Sequence, residues 1–197
     1  MGFVLLVVAS IVGLIWSIII PLIAMPFMFL RNEWAQWWRW FYSVGATKIF
    51  GLKVYISGLE NWKVDETYVV APNHESMFDI VIVGMLKRDY RWVAKKQVKY
   101  IPFLGWAACS LLYFVERNRK QSDIRVVMKA VEEKVRKGNS ILMFPEGTRT
   151  RTGKLLPFKK GPFRVAQHAR VKLLPIGIEG SFEIAPPNKF PRKWGHS

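Results

Sequence analysis

The sequence predicts an α/β fold: a central, mostly parallel or mixed sheet flanked by helices, preceded by an N-terminal membrane-embedded helical segment. Three observations lead there. Short β-branched and aromatic runs alternate along the chain with stretches of helical period, the pattern of strands layered against helices. Residues 1–30 carry no charged side chain. No internal repeat or low-complexity linker divides the remainder, so it reads as one domain of ordinary size. The expected organisation is a membrane helix with an interfacial helix over residues 1–45 and a single compact domain over residues 46–197.

The elements follow in order. Residues 2–20 alone suffice to cross a hydrocarbon core of about 30 Å as a helix. Pro21 and Pro26 are expected to break it. Trp34, Trp37, Trp38 and Phe41 then recur at the spacing of one helix face, with Arg31 and Arg39 beside them. Aromatic rings near cations favour the headgroup level of a bilayer, so this is read as an interfacial amphipathic helix. A cleavable leader would want basic residues before the apolar run and a small-residue cleavage site after it, and neither is present. A re-entrant hairpin stays open as the alternative to a spanning helix. In both cases the downstream Lys and Arg residues favour a cytoplasmic face for the rest of the chain.

Residues 53–57 alternate around Val54 and Ile56 between Gly51 and Gly58, which predicts a strand. Residues 67–71 predict another, stopped by Pro72-Asn73. Residues 78–86 form an apolar stretch suited to a buried helix. Residues 91–94 and 111–115 are strand-like. Residues 122–137 give the clearest helix: Ile124, Val127, Met128, Val131 and Val135 form its apolar stripe, with Ser122 to cap it and Gly138 to end it. Residues 141–144 predict a buried strand, 161–169 a helix, and 173–178 a last strand.

Composition narrows the partners. The net charge of +16 points to an anionic one: lipid headgroups, a phosphate-bearing substrate or nucleic acid. Nucleic-acid binding would want basic and stacking aromatic residues on one face, whereas the aromatics here concentrate in the membrane segment, so no nucleic acid is expected. Cys109 is the single cysteine, so no internal disulfide can form.

Residues 73–79 read Asn-His-Glu-Ser-Met-Phe-Asp. His74 follows a strand end, where a loop can present it. On a regular helix Asp79 would lie about 140° around from it, at about 100° per residue. Contact therefore requires His74 in the loop and Asp79 in the turns that follow. A carboxylate on one imidazole nitrogen sets the tautomer, leaving the other nitrogen to accept a proton from a hydroxyl. A surface histidine beside a helical aspartate is the plainer alternative. A zinc-protease helix is excluded because Phe78 stands where its second His belongs, and no metal site is expected. Residues 147–154 miss the P-loop glycine spacing, and Leu155 replaces the Ser or Thr. No G-x-S-x-G elbow occurs.

Residues 144–149 read Phe-Pro-Glu-Gly-Thr-Arg, in which a strand stops at proline, Gly147 permits a tight turn, and Arg149 is held at the strand end. A guanidinium fork matches a phosphate. Residues 112–117 repeat the plan and deliver Glu116 and Arg117; Lys95 follows its own strand. Three strand ends carrying cations fit one anion site at a sheet edge, against the alternative of solvated surface charge.

These residues resemble the glycerolipid acyltransferases, most closely bacterial 1-acyl-sn-glycerol-3-phosphate acyltransferases. The family's N-H-x-x-x-x-D block matches residues 73–79 and its F-P-E-G-T-R block matches 144–149 completely. Weaker blocks match residues 114–117 and 173–178 around Pro175, all in order. The resemblance implies His74 as base and Asp79 as its partner. It implies a substrate-binding set of Lys95, Arg117, Glu146, Gly147, Thr148 and Arg149, with the three cations on the acceptor phosphate. It implies transfer of an acyl group from acyl-CoA or acyl carrier protein, as co-substrate rather than cofactor, to lysophosphatidic acid at a phospholipid membrane. Other acceptors, such as glycerol 3-phosphate or another lysolipid, and a non-catalytic module binding anionic lipid or nucleic acid, are the alternatives. Glu75 departs from the Gln common in the family, and the chain ends soon after the fourth block, so part of the usual C-terminal segment is expected to lie outside it.

Overall fold

The computed structural model describes residues 2–28, 32–100, 112–115 and 121–187. Five strands form one sheet: β1 (Tyr68–Pro72), β2 (Arg91–Lys95), β3 (Leu112–Val115), β4 (Ile141–Leu142) and β5 (Lys172–Ile176). Their order is β3-β2-β4-β1-β5, and every pairing is parallel. Parallel strands need crossovers, and the crossovers place helices on both faces. That explains why β1 is buried along its whole length.

Side-chain alternation divides the core into two layers. Tyr68, Val70 and Leu142 face a cluster with Val83 and Leu86, from α3 (Phe78–Gly84) and the turn after it, together with Trp62, Tyr90, Trp92 and Ile178. Val69 and Ile141 face the other way, onto Val131 and Val135 of α4 (Gln121–Arg136) and Val165 and Ala166 of α5 (Gly161–Ala169). The stripe expected on α4 thus meets the sheet at Val131 and Val135. A four-residue helix, α6 (Ser181–Ile184), follows β5.

Two expectations are corrected here. Residues 53–57 form no strand, although their alternation suggests one. The sheet ends at β5, and a groove of about 840 Å³ lies between this segment and β5, so the backbone finds no ladder to join. Tyr55 is consequently exposed, and Gly58, at φ 73°, turns the chain into a 3₁₀ turn at Leu59–Asn61. The strand expected over 141–144 is only Ile141–Leu142, because Pro145 has no N–H; Met143 still donates to the Val70 carbonyl (2.9 Å).

The N-terminal segment forms two helices, α1 (Gly2–Met28) and α2 (Asn32–Ile49). Contrary to expectation, α1 runs through Pro21 and Pro26. Its neighbour supplies the support that lets a helix tolerate proline. Trp16 donates its indole N–H to the Tyr42 carbonyl (3.2 Å), Ser17 bonds the Tyr42 hydroxyl (2.8 Å), and Ala24 packs in a buried pair with Ala35. Gly45 admits the Trp16 ring; a Cβ there would overlap it. The outer surface of α1 exposes Val4, Leu14, Ile15 and Ile23, and residues 4–24 are long and apolar enough to cross a membrane.

α2 also packs inward, against α3. Ser43 fills the space above Gly84, and Phe50 meets Phe78 edge-on (centroids 4.9 Å apart). The boundary expected at residue 45 falls inside α2. Arg39, expected as a headgroup-level cation, is instead only 7% exposed. Its Nη2 donates to the Leu86 and Arg88 carbonyls (2.8 and 3.0 Å), and its guanidinium lies over the Tyr90 ring. Trp34 and Trp37 do remain exposed, as an interfacial helix requires. Arg31 and Cys109 lie outside the described residues.

The Trp16–Gly45 contact is expected to control the hairpin. Gly45→Val should overpack it by about 1–3 kcal/mol, lowering the melting temperature in detergent by roughly 2–4 °C per kcal/mol. An unchanged melting curve would show that the two helices do not depend on this contact.

Candidate active site

Parallel strands all end at one edge of a sheet, and loops leaving that edge converge. The loop after β1 carries Asn73, His74, Glu75 and Ser76; the neighbouring loop after β4 carries residues 144–150. Phe78 then opens α3, with Asp79 in its first turn. This is the arrangement that the five-residue offset demanded: the histidine in the loop, the aspartate in the helix.

His74 Nδ1 lies 2.7 Å from Asp79 Oδ2. An ionised carboxylate can only accept, so Nδ1 carries a proton, and in the neutral imidazole Nε2 is then the acceptor. The same Oδ2 accepts the N–H groups of Glu75 (2.6 Å) and Ser76 (2.8 Å), while Oδ1 accepts the hydroxyl of Ser181 (2.5 Å). Asp79 and Ser181 are fully buried. A buried carboxylate is tolerable only when its lone pairs are met by donors, and here four donors meet them. His74 itself is 14% exposed at its side chain, enough for a substrate to reach it. The Phe144 ring stacks on the imidazole, centroids 3.9 Å apart, and sets its plane.

The β4 loop clamps the His74 backbone on both sides. Glu146, buried, accepts the His74 N–H on Oε1 (2.7 Å) and the Leu156 N–H on Oε2 (2.9 Å). Thr150 donates its N–H to the His74 carbonyl (3.0 Å). Gly147 takes the left-handed conformation (φ 69°) that the tight turn requires. Thr148 is exposed and Arg149 half-buried, and Arg149 directly precedes the residue whose N–H reaches the His74 carbonyl. On the other flank, Asn73 imitates one more rung of the sheet: its Oδ1 accepts the Ile178 N–H (2.6 Å) and its Nδ2 donates to the Ile178 carbonyl (2.9 Å).

All but one of the residues expected in the site can now be located. His74, Asp79, Glu146, Gly147, Thr148 and Arg149 come together over β1 and β4. Glu146 was expected among the substrate-binding residues; both its oxygens are occupied by backbone amides, which makes it a clamp on the loop. Lys95 is the last residue of β2, at the same sheet edge and on the far side of β4 from β1. Arg117 lies outside the described residues. Ser181, Thr150 and Ile178 were not anticipated: Ser181 stands 102 residues from Asp79, and nothing local in the chain announces the pair. The hydroxyls of Ser76 and Ser181 are both buried and committed, Ser76 to the Ala185 carbonyl and Ser181 to Asp79, so neither is poised as a nucleophile. The arrangement can do general-base chemistry on a hydroxyl, with cations at hand for an anionic substituent.

Comparison with known proteins agrees with that chemistry. The model of a family described as Acyltransferase matches residues 53–179. The chain is 36% identical over 181 residues to the 1-acyl-sn-glycerol-3-phosphate acyltransferase of Saccharomyces cerevisiae, covering 89% of this chain and 57% of that protein. It is 33% identical to the chloroplastic enzyme LPAT1 of Arabidopsis thaliana, covering 86% of this chain and 49% of that protein. The chain therefore spans about half the length of these relatives. The crystal structure of the 1-acyl-sn-glycerophosphate (LPA) acyltransferase PlsC from Thermotoga maritima superposes with a TM-score of 0.80 at 22% identity, over 97% of this chain and 80% of that one; this is a likeness of fold.

Glu75 makes the site testable by pH. Burial, reinforced by the charge of Asp79, pushes its carboxyl above the usual carboxylate range. A carboxyl with a raised folded pKa holds its proton longer in the folded state, so stability falls as pH rises from its unfolded value, about 4.3. Glu75→Gln keeps an oxygen for the Asn73 amide and removes the charge. It is expected to be more stable than wild type at pH 7 and to lose that advantage below about pH 4. Denaturant titrations at the two pH values check this; a variant less stable at pH 7 would contradict it.

Proposed function

The chain belongs to the acyltransferase family, and from that premise we propose that it acylates the sn-2 hydroxyl of 1-acylglycerol 3-phosphate, giving phosphatidic acid for phospholipid synthesis. The observation that carries the reading is the 2.7 Å bond from His74 Nδ1 to a fully buried, fully satisfied Asp79 beside the turn that bears Arg149. The names of the relatives supply the acceptor class.

In this reading, lysophosphatidic acid sets its phosphate on Arg149, with Lys95 and Arg117 completing the anion site. His74 Nε2 takes the proton of the free hydroxyl as its oxygen attacks the carbonyl carbon of a fatty acyl thioester. The tetrahedral intermediate collapses, the C–S bond breaks, and the imidazolium returns its proton to the leaving thiolate. Atoms and charge balance without a second reagent. Asp79 keeps the imidazole in the reactive tautomer and stabilises the imidazolium. With Ser76 and Ser181 committed elsewhere, direct transfer within a ternary complex is favoured over a covalent acyl-enzyme. The thiol belongs to coenzyme A or acyl carrier protein. The exposed apolar surface of α1 supports anchoring in the cell (inner) membrane, with the basic catalytic part on the cytoplasmic face.

His74→Ala is expected to lower turnover by about 10²–10⁴-fold with little change in melting temperature, measured as thiol release from each donor with lysophosphatidic acid. Turnover that survives the substitution would sink the proposal. Arg149→Ala should raise the KM for lysophosphatidic acid while leaving that for the donor in place; a purely donor-side effect would contradict the phosphate assignment. Glycerol 3-phosphate and uncharged lysolipids, run as alternative acceptors, test the substrate class.

A further inference from the structure

A basic cavity lies at the opposite edge of the sheet from His74. It has a volume of about 780 Å³ and is walled by Arg39, Tyr90, Arg91 and Lys87, with Trp37 and Trp40 of α2 alongside. Arg91 opens β2 and Ser140, also in the wall, precedes β4, so this is the edge where strands begin. It shares none of the residues of the catalytic loops.

Arg39 is the informative residue. It is 7% exposed, yet its Nε and Nη1 find no hydrogen-bond partner among the described residues. It has no dedicated counter-charge either. Tyr90, whose ring it covers, stays neutral: burial pushes its hydroxyl up to about 12, and that hydroxyl donates to the Val83 carbonyl (2.7 Å). The one acid close by, Asp89, spends its Oδ1 on the Gln36 amide (2.6 Å) and on Arg91 Nη1 (3.0 Å). Arg39, Lys87, Arg88 and Arg91 face only Asp89 and Glu66 across the cavity, which leaves it cationic. A buried guanidinium with two idle nitrogens is costly unless an anion completes it.

The neighbourhood specifies the source of that anion. Lys87 sits over the Trp40 ring (4.5 Å), and Trp37 is half exposed on the helix that follows the apolar α1. Cations set among indole rings are the chemistry of the lipid headgroup layer. A free phosphate would have no use for the indoles; a headgroup would leave its acyl chains beside them. We propose that this cavity binds the headgroup of an anionic membrane phospholipid, with its phosphate on Arg39, Arg91 and Lys87, as a site separate from the acceptor site at His74.

The test is native mass spectrometry of the full chain in detergent, supplied in turn with phosphatidylglycerol, phosphatidylcholine and inorganic phosphate. All proteins carry Arg149→Ala as well, so that binding at the proposed acceptor site does not contribute. Phosphatidylglycerol is expected to be retained at one per chain, well above the other two. Lys87→Glu, at an exposed position, should lower that retention by at least about fivefold, and Arg39→Gln by about tenfold or more. Lys129→Glu, a charge reversal on an exposed lysine of α4, should leave it unchanged. Should Arg39→Gln fail to fold, Lys87→Glu decides. Retention unaffected by Lys87→Glu, equal loss on Lys129→Glu, or inorganic phosphate or phosphatidylcholine bound as well as phosphatidylglycerol would each overturn the proposal.

Discussion

A single carboxylate organises the chemistry of this fold. Asp79 is excluded from solvent, and such a charge survives in a protein interior only if donors surround it. The four that do so come from the loop before it and from Ser181, far along the chain. Satisfying the acid therefore fixes the path of residues 74–76, the rotamer of His74 and the position of α6 together. Glu146, the second buried acid, holds the same loop through the His74 N–H and ties it to Leu156. One acid touches the imidazole and sets its proton; the other touches only backbone and sets where the imidazole stands.

The sheet makes this meeting possible. Because β1, β4 and β5 are parallel neighbours, their C-terminal loops emerge side by side. Asn73 reaches Ile178 across β1 and β5, and Thr150 reaches His74 across β4 and β1. An antiparallel order would send alternate loops to opposite edges and separate the His74 loop from the loop that carries Arg149. The α2 helix braces the arrangement from outside: Ser43 and Phe50 rest on Gly84 and Phe78, at the two ends of the helix that carries Asp79. The apolar N-terminal hairpin is in this way continuous with the catalytic framework. The same helix turns Arg39 toward the opposite edge of the sheet, where a cationic cavity opens beside its tryptophans. One amphipathic helix thus contacts the apolar α1, the aspartate-bearing helix and the basic cavity.

How much of this can be read without coordinates follows from the range of each interaction. Local patterns carry the order of strands and helices, the tight turn at Gly147, and the offset that puts His74 in a loop and Asp79 in a helix, because those depend on neighbours within a few residues. They also mislead where tertiary context overrules them. Residues 53–57 alternate like a strand but find no ladder beyond β5, and Pro21 and Pro26 do not end α1 because α2 is packed along it. Tertiary structure alone decided that Glu146 is a clamp, that Ser181 completes Asp79, that Thr150 grips His74, and that Arg39 is buried against Tyr90 instead of standing exposed on α2. Each of these joins residues separated by tens of positions, and a hydrogen bond across such a distance leaves no periodic trace in the chain. The candidate site residues His74, Asp79 and Arg149 can be named from the sequence by itself; which atoms hold His74 and Asp79 in place was settled by folding.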